Sequence, residues 1–516
     1  MRLNLRSWGI WVALSFVPAC EVTAEGPVRE RPPSIVYILA DDLGYGDLRC
    51  FNASGKIATP HLDRLAAEGM RFTDAHSSSA VCTPTRYGIL TGRYNWRSSL
   101  KSGVLDGYSK RLIEPGRLTV PEYLRQNGYM TACIGKWHLG MDWPTKDGKA
   151  SGKITTGWEV DYTRPIANGP TAVGFDEYFG ISASLDMPPF VFINRDRSEG
   201  IPTVEKTWVR QGPAGADFEA GGVLPAIVRS STSFIDKNAA AARQGKPFFL
   251  YIPLSAPHTP ILPAAEWRGK SGLNTYGDFV MQVDAAVGAI LSSLETRGLA
   301  GDTLVIFTSD NGCSPSAGYP ALLAKGHDPS AGFRGTKADI FEGGHRVPLI
   351  VRWPGHVKPG TSSDQVVCLT DLFSTVADIV GVRLPDAAAE DSISLVPALL
   401  ATAGGPLREA IVHHSINGSF AIRQGRWKLA LCPDSGGWSE PRPGRDDERG
   451  LPQVQLYDLS ADRAERHNLQ AEHPEIVERL TRLLEKYVAD GRSTPGPPQP
   501  NNGAPVEIRK LAAKAR

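Results

Sequence analysis

The stretch SIVYILADD, residues 34–42, is an unbroken apolar run that ends in the two acidic residues Asp41 and Asp42. A short apolar run rich in β-branched residues predicts a strand that is buried on both faces, as in the interior of a parallel sheet. Similar runs recur at residues 129–134, 247–252, 303–308 and 348–352. The chain therefore contains several predicted strands of one buried sheet.

Helical patterns separate these predicted strands. Thr59 and Pro60 supply an N-cap residue and an N1 proline for a helix that Gly69 ends. Residues 276–297 carry an apolar stripe at helical spacing, and residues 370–380 predict a further helix. Strands that alternate with helices over most of the chain predict an α/β fold, in which a large, mostly parallel sheet is sandwiched by helices.

The start of the chain has the pattern of an export signal. In residues 1–24, Arg2 and Arg6 precede a short apolar core, and a small-residue cleavage site follows. A lipoprotein signal ending at Cys20 is an alternative that Pro18 fits poorly, and the apolar run is too short for a lone membrane anchor. No later segment is judged long enough to span a bilayer. We therefore expect an exported protein, periplasmic or extracellular, without stable membrane insertion.

Composition divides the rest of the chain. We expect residues 25–400 to form the main domain and residues 401–491 to form a C-terminal α+β subdomain. The subdomain has two short predicted strands, at 427–431 and 454–459, and an amphipathic helix at 474–487. Residues 492–516 are rich in Pro, Gly and Asn and then basic, which predicts a flexible tail.

The charge balance argues against a nucleic-acid partner. The chain has 56 Lys and Arg against 55 Asp and Glu, so no broad positive field is available to gather nucleic acid. A local cluster would have to select any anionic ligand. The 7 cysteines include no CxxC pair and no zinc-like spacing.

Polar residues follow four of the predicted strands. The carboxyl ends of parallel strands meet along one edge of a sheet, where α/β folds place their sites. One carboxylate after a strand is usually a turn former or a helix cap, but four strands that deliver such residues to one edge predict a functional site. The residues expected at this edge are Asp41, Asp42, Lys136, His138, His258, Asp310 and Asn311.

The residue types at this edge suit a metal ion beside an anion. Asp41, Asp42, Asp310 and Asn311 form an all-oxygen set for a hard divalent ion such as Ca²⁺ or Mg²⁺, although two separate turns are an alternative. A metal with a cationic clamp is what displacement at a phosphoryl or sulfuryl centre requires, because charge builds up on the reacting oxygens. The cation-capable groups that could converge on an anion are Arg86, Lys136, His138, His258 and Lys337.

A candidate nucleophile lies in CTPTR, residues 82–86, which continues as YGILTGR through Arg93. This segment resembles the signature of the type I sulfatases, Cys-x-Pro-x-Arg followed by Leu-Thr-Gly-Arg, in the arylsulfatase A and galactosamine-6-sulfatase branch of the alkaline phosphatase superfamily. His345 departs from the aliphatic residue of many relatives, and the sequence assigns it no role. The resemblance covers nearly the whole mature chain and includes DDLGYGD at 41–47, GKWH at 135–138, SDNG at 309–312, RGTK at 334–337 and EGGHR at 342–346.

The resemblance implies a modified nucleophile, a metal and a fold. In this family the cysteine is oxidised to Cα-formylglycine, which implies a formylglycine-generating maturation enzyme as a partner of this chain. One Ca²⁺ would be held by Asp41, Asp42, Asp310 and Asn311 together with an oxygen of residue 82. The implied fold is alkaline-phosphatase-like, with a small C-terminal antiparallel sheet and a packed helix.

The resemblance also implies roles for the cationic residues. Arg86 and Lys136 would steady the hydrated aldehyde and the metal ligands, and Asp310 would take a proton from the attacking hydroxyl. His258 and Lys337 would bind the sulfate and protonate the leaving oxygen. His138 would help a sulfated hemiacetal break at its C–O bond, an exit that a sulfated serine lacks.

The expected substrate is a sulfated sugar or glycan, with a galactose-type unit suggested by the branch. The nearest rival is a phosphodiester or phosphonate ester hydrolase of the same superfamily, because some of those share Cys-x-Pro-x-Arg. A more remote rival is a noncatalytic glycan-binding protein in which Cys82 stays unmodified.

Overall fold

A computed structural model describes residues 32–148, 154–445 and 450–509. The predicted export signal at residues 1–24 lies outside the described residues. The strands are β1 Ser34–Ala40, β2 Met70–Phe72, β3 Ala75–His76, β4 Met130–Lys136, β5 Glu177–Ile181, β6 Phe192–Asn194, β7 Arg197–Glu199, β8 Val204–Trp208, β9 Arg210–Ala214, β10 Phe248–Pro253, β11 Thr303–Ser309, β12 Leu349–Arg352, β13 Thr361–Ser363, β14 Val367–Cys368, β15 Ile411–His414, β16 Phe420–Gln424, β17 Trp427–Ala430 and β18 Gln455–Asp458. The helices are α1 Pro60–Glu68, α2 Cys82–Thr91, α3 Val120–Gln126, α4 Val223–Arg243, α5 Thr275–Thr296, α6 Tyr319–Ala324, α7 Glu342–His345, α8 Leu372–Val380, α9 Val396–Leu399 and α10 Pro474–Asp490.

Within the described residues, ten strands form one large mixed sheet in the order β13-β2-β12-β11-β1-β10-β4-β5-β6-β7. The five central strands, from β11 to β5, all run parallel to one another. Antiparallel strands extend the sheet at both sides, beginning with β12 and β6. The predicted α/β fold with a mostly parallel sheet is confirmed.

The sheet is covered on both faces, because its central strands carry apolar side chains on each face and are buried at almost every position. In β1, Ile35, Tyr37 and Leu39 belong to one buried cluster, to which α2, α3 and α8 also contribute. Val36 and Ile38 point to the opposite cluster, with side chains from α1, α4 and α5. Each apolar side chain buried in this way contributes about 1.5–3 kcal/mol, so the two cores fix the register of the strands.

The C-terminal part forms the small antiparallel sheet that was expected, in the order β15-β16-β17-β18. The apolar face of α10 covers it, because Leu480, Leu484 and Tyr487 are buried in one cluster with Ile422 and Leu429. The small sheet adds two strands, β15 and β16, to the two predicted from the sequence.

Residues 492–509 differ from the flexible tail that their composition predicts. The Asn502 amide donates to the Arg97 carbonyl at 2.6 Å, and the Gln499 amide donates to the Asp490 carbonyl at 2.9 Å. Val506 and Ile508 pack against the core beneath the small sheet. This segment is therefore tied to the body of the protein by backbone hydrogen bonds and apolar contacts.

Among the described residues, one helix, α5, is long and apolar enough to cross a membrane by length and composition. This corrects the expectation that no such segment follows the signal. The most apolar window of α5 is 72% buried, and Phe279, Val283 and Val287 pack in the core against the sheet. The packing of α5 is that of a core helix.

Candidate active site

Four neighbouring strands carry the polar residues predicted to meet at one edge of the sheet. β11, β1, β10 and β4 lie side by side and parallel. Asp310, Asp41 and His258 lie beyond the carboxyl ends of the first three strands, and Lys136 ends the fourth. Because these ends share one edge, residues far apart in sequence form one buried cluster.

Cys82 is the first residue of α2, so its thiol lies at the amino end of a helix of 10 residues. The side chain is only 2% exposed. The potential ligand atoms of Cys82, Asp41, Asp42 and His258 all lie within 4.8 Å of one another. The predicted nucleophile and two predicted metal ligands therefore lie in the same site.

Cationic groups around Cys82 stabilise its thiolate. Burial alone would raise the pKa of the thiol, but the positive charges of Lys136 and Lys337 hold it well below its usual range. The helix amino end acts in the same direction. The site is built to place negative charge on residue 82.

The acidic residues are linked to one another through Asp42. Its backbone amide donates to Asp310 Oδ1 at 3.2 Å, and Asn311 Nδ2 donates to Asp42 Oδ1 at 2.8 Å. Asp42 has a φ of 66°, in the left-handed region that a non-glycine residue adopts at a cost of about 1–3 kcal/mol. That strain accompanies a turn that aims the Asp42 carboxylate back into the cluster.

Arg86 and Lys136 neutralise one side of the cluster. Arg86 donates to Asp310 Oδ2 from Nε at 3.1 Å and from Nη2 at 2.8 Å, and it donates to the Lys136 carbonyl at 3.0 Å. Lys136 Nζ donates to Asp41 Oδ2 at 2.6 Å. Each of these side chains is fully buried, so the pairs hold one another in fixed geometry.

Lys337 and His258 lie on the Asp42 side of the cluster. Lys337 Nζ is 2.8 Å from Asp42 Oδ1, and His258 Nε2 is 3.7 Å from Asp42 Oδ2. Burial and Lys337 oppose the charged form of His258, but Asp42 and Asp41 raise its pKa to about 9. His258 is therefore protonated at neutral pH and able to donate.

His138 is neutral, in contrast to the protonated His258. Its Nε2 donates to the Leu105 carbonyl at 2.7 Å, so Nδ1 of the neutral ring has no proton, and this buried atom makes no hydrogen bond to the described residues. Burial and Lys136 lower the pKa of His138, so its ring is neutral. Two histidines on opposite protonation states thus flank residue 82, one suited to donate a proton and one to accept it.

The acidic residues fit a hard divalent cation. Asp41 Oδ1 and Asn311 Oδ1 are buried and accept no hydrogen bond from the described residues, so each offers an oxygen to a ligand, although Arg86 Nη2 lies 3.6 Å from Asp41 Oδ1. Burial and the Asp41 carboxylate raise the pKa of Asp310 to about 8, a sign of crowded negative charge. A cation among three carboxylates and an amide oxygen would relieve that repulsion.

A second layer of polar contacts fixes the loop that carries Asp41 and Asp42. Asp47 accepts hydrogen bonds from the Gly44 amide at 2.7 Å, from the Tyr276 hydroxyl and from His327 Nε2 at 2.9 Å. The sequence analysis missed this network because Tyr276 and His327 lie more than 200 positions away from the loop.

Comparison with known proteins identifies the fold and the chemistry together. The sequence profile of the family described as Sulfatase matches residues 33–382. The chain belongs to the sulfatase family. Residues 336–432 also match the profile described as N-sulphoglucosamine sulphohydrolase, C-terminal. This sulfatase is an enzyme that hydrolyses sulfate esters, in accord with the expected activity.

Curated relatives resemble this sulfatase over nearly its whole length. It is 34% identical to an N-acetylgalactosamine-6-O-sulfatase from Bacteroides thetaiotaomicron, over 90% of this chain and 95% of that protein. It is 33% identical to human arylsulfatase A, over 93% of this chain and 92% of the relative. These two relatives belong to the branch that the signature segment suggested.

Solved structures agree with this assignment. One is a Bacteroides thetaiotaomicron sulfatase described with the metabolism of multiple glycosaminoglycans. It has a TM-score of 0.76 and 32% identity, over 88% of this chain and 99% of the other. A phosphonate monoester hydrolase from Silicibacter pomeroyi has a TM-score of 0.58 at 18% identity, over 88% and 95%, and so shares the fold alone.

A second buried cluster joins β3 and α7 to the small sheet of this sulfatase, and the sequence patterns assign it no role. His345 Nδ1 lies 3.1 Å from His76 Nδ1, and Lys428 Nζ lies 3.0 Å from His345 Nε2. Lys428 also pairs with Glu342 at 3.0 Å and with Glu465 at 2.8 Å. These links run from β3 through α7 to β17, and the Ser77 amide donates to the His345 carbonyl at 2.8 Å.

The composition of this second cluster resembles a metal site, but its geometry does not. His76, Glu342, His345 and His413 offer ligand atoms within 4.8 Å of one another. However, the rings of His345 and His413 are stacked, with centroids 3.7 Å apart and planes 11° apart. Parallel rings cannot both aim an in-plane lone pair at one ion about 2.0–2.1 Å away. The Lys428 ammonium and the Arg346 guanidinium already balance the Glu342 carboxylate of this cluster.

Proposed function

We propose that this chain is an exported, calcium-dependent sulfatase that removes sulfate from a sugar by means of formylglycine formed at Cys82. The observation that carries the proposal is the position of Cys82, at a helix amino end among Asp41, Asp42 and His258. The signature segment supports the modification, which requires a formylglycine-generating enzyme in the producing cell. The pattern of residues 1–24 supports export.

The metal and the modified residue would supply the charge stabilisation and the nucleophile. Ca²⁺ held by Asp41, Asp42, Asp310 and Asn311, beside an oxygen of residue 82, would act as a Lewis acid on the sulfate and lower the pKa of the hydrated aldehyde. The donor set, with its free buried oxygens, supports a hard cation in preference to zinc.

The side chains of the protein then bind, orient and move protons. Arg86 and Lys136, through their pairs with Asp310 and Asp41, hold the carboxylates in place. With a cation bound to lower its pKa, Asp310 accepts the proton of the attacking hydroxyl on residue 82. These three groups act on the nucleophile side of the sulfur atom.

The remaining side chains act on the sulfate and on the leaving group. Lys337 binds the sulfate oxygens, and protonated His258 donates a proton from Nε2 to the leaving oxygen. Neutral His138 accepts a proton at Nδ1 from residue 82 during release of sulfate. This division follows the opposite pKa shifts of the two histidines.

The proposed substrate is a sulfated sugar of the galactose type. Curated relatives at 29–34% identity are named for N-acetylgalactosamine 6-sulfate esters. A desulfation screen of defined sulfated mono- and oligosaccharides, with matured protein, tests this specificity. Release of sulfate from galactose-type 6-sulfates before other positions is expected, and preference for another sugar would reject this part of the proposal.

The phosphodiester and phosphonate rival is tested by paired substrates. Matured protein should hydrolyse an aryl sulfate with a kcat/KM far above that for the matched aryl phosphodiester. The reverse order would favour the rival, and no turnover of either ester would favour the glycan-binding alternative.

A further inference from the structure

A large cleft lies at the seam between the large sheet and the small one, away from Cys82. Its volume is about 1280 Å³, and it shares none of the site residues described above. That volume exceeds the ~300–1,000 Å³ of ordinary small-molecule pockets, so more than one sugar ring fits. We call it the arginine cleft, after the arginines that line it: Arg346, Arg408, Arg423, Arg426 and Arg463.

Most of these arginines are already paired with carboxylates. Arg423 binds both oxygens of Asp74, at 2.7 and 2.8 Å, and Arg426 lies 3.4 Å from Asp458. Arg408 pairs with the buried Asp371. These three side chains shape the wall of the cleft and leave little charge for a ligand.

Arg463 is different. No carboxylate of a described residue lies within 4.0 Å of its guanidinium, and its guanidinium makes no hydrogen bond to the described part of the chain. Its Cζ lies 4.0 Å from the centre of the Phe333 ring, and Arg346 Cζ lies 4.5 Å from the same ring. Burial and the neighbouring Arg346 lower the pKa of Arg463. Arg346 is itself paired with Asp74 at 3.2 Å and with Glu342 at 3.1 Å, so the unpaired positive charge at the cleft, among the described residues, is that of Arg463 alone.

The aromatic residues position these cations and are themselves covered. Phe333 is 7% exposed and Tyr45 is 6% exposed, and the two rings meet edge to face at 5.4 Å. Cation–π contact fixes the plane of Arg463 while its N–H groups stay free to donate. A planar fork of donors fixed in this way matches the oxygens of a sulfate group in a bidentate arrangement.

We propose that the arginine cleft is a noncatalytic binding site for a sulfated glycan chain, with Arg463 as its main sulfate contact. The inference rests on the proposed action on sulfated sugars, because a chain that carries several sulfates could be held at the cleft while another sulfate reaches residue 82. Asp364 and Glu409 on the lining would repel a continuous polyanion, which favours a chain whose charges are spaced along sugar rings.

Binding to the full chain carrying Cys82→Ala tests the cleft without turnover. The probes are size-defined oligosaccharides of heparin, chondroitin sulfate and carrageenan, with chemically desulfated chondroitin as the unsulfated arm, measured by titration calorimetry. Arg463→Ala in this background is compared with Arg383→Ala, which removes an arginine that is 89% exposed and outside the cleft. We expect Arg463→Ala to weaken binding of at least one sulfated chain by about fivefold or more, and Arg383→Ala to leave it unchanged.

Two outcomes would overturn the proposal. One is equal affinity of the Arg463→Ala and Arg383→Ala proteins for all three sulfated chains. The other is equal affinity of the parent protein for desulfated and sulfated chondroitin. In matured protein without the Cys82→Ala substitution, Arg463→Ala should lower kcat/KM for a long sulfated chain relative to that for an aryl sulfate. Turnover of the aryl sulfate by the parent protein tests the proposed function separately, so the two failures are distinguishable.

Discussion

The proposed reaction depends on residue 82 being an aldehyde hydrate. Its sulfated form can release sulfate by breaking a C–O bond, which an unmodified cysteine cannot do. Cys82→Ala should lower kcat by about 10³-fold or more, since it removes the nucleophile. The fold should survive, because the side chain occupies a site lined by charged groups and contributes little apolar packing. The measurements are turnover of an aryl sulfate and the thermal midpoint of unfolding. Peptide mass spectrometry that finds only cysteine at residue 82 of fully active enzyme would refute the mechanism.

The protonated state of His258 matters most when the leaving group is poor. A sugar alkoxide needs a proton to leave, whereas an activated aryl oxyanion does not. General acid catalysis typically contributes about 10²–10⁴-fold, so His258→Ala should reduce the single-turnover rate on a sugar sulfate far more than on an aryl sulfate. Arg86→Lys, on the nucleophile side, should affect both substrates alike. Equal losses for His258→Ala would mean that His258 only holds the sulfate.

The free oxygens of Asp41 and Asn311 predict a response to Ca²⁺. Saturating Ca²⁺ at about 100 times its Kd should stabilise the fold by about 2.7 kcal/mol, because the ion binds only the folded state. Chelation should lower the thermal midpoint, and added Ca²⁺ should restore it. Asn311→Ala should weaken this response while the apo protein stays folded. A midpoint that ignores both chelator and Ca²⁺ would argue against the site.

The strands that carry the site were predictable because each one is a short apolar run that ends at a polar residue. β1 has the predicted bounds, and β11, predicted as 303–308, extends by one residue to Ser309. Apolar runs are local signals, and the parallel arrangement then places Asp41 and Asp310 at one edge without further information. The roles of individual side chains came from the family resemblance, not from these patterns.

The link between α7 and β17 left no such local signal. His345 meets Lys428 across 83 positions and His76 across 269 positions. The pairing depends on how the small sheet packs against the large one, and neither charge nor periodicity in α7 reports that packing. His345 was therefore left without a role, although it lies at the centre of a buried network.

The α7–β17 link also predicts a pH dependence of stability. Burial raises the pKa of Glu465 to about 7 despite Lys428, so the folded state holds a proton that the unfolded state releases near its ordinary value of 4.5. Stability from this group is present below that ordinary value and is lost as pH rises through about 7. Between pH 5 and 8, the free energy of unfolding of the parent should fall by about 1–3 kcal/mol relative to Glu465→Gln.

The comparison with Glu465→Gln isolates one group. His76, whose pKa burial lowers, titrates with the opposite sign in both proteins and cancels in the difference. The amide of the Glu465→Gln protein, beside Lys428, lowers the free energy of unfolding by the same amount at every pH, so it does not change the pH dependence. Urea unfolding at several pH values measures it, and parallel curves for the two proteins would contradict the assignment.

At the scale of the whole molecule, the C-terminal segment packs against the residues that follow α2, the helix that begins at Cys82. Arg97, which follows α2, pairs with Asp391 at 2.8 Å and donates to Asn501 at 3.0 Å. Lys101 donates to the carbonyl of Asn502 at 2.9 Å, and Ser493 donates to Asp391 at 3.0 Å. Composition predicted a loose tail here because polar and proline-rich segments have few apolar contacts, but buried arginines supply their hydrogen-bond partners.

Deleting residues 492–516 should therefore destabilise the protein. The truncation leaves Arg97 and Lys101 with unfilled donors, and a lost hydrogen bond to a charged group costs about 1.5–3 kcal/mol, so a loss of about 2–5 kcal/mol is expected. Deleting only residues 510–516 is the control, and the difference in stability between the two truncated proteins reports the contacts of residues 492–509. Because Arg97 lies shortly after the helix that begins at Cys82, the longer deletion should also lower kcat for an aryl sulfate. Equal unfolding midpoints for the two truncated proteins would show that the contacts of residues 492–509 contribute nothing to the fold.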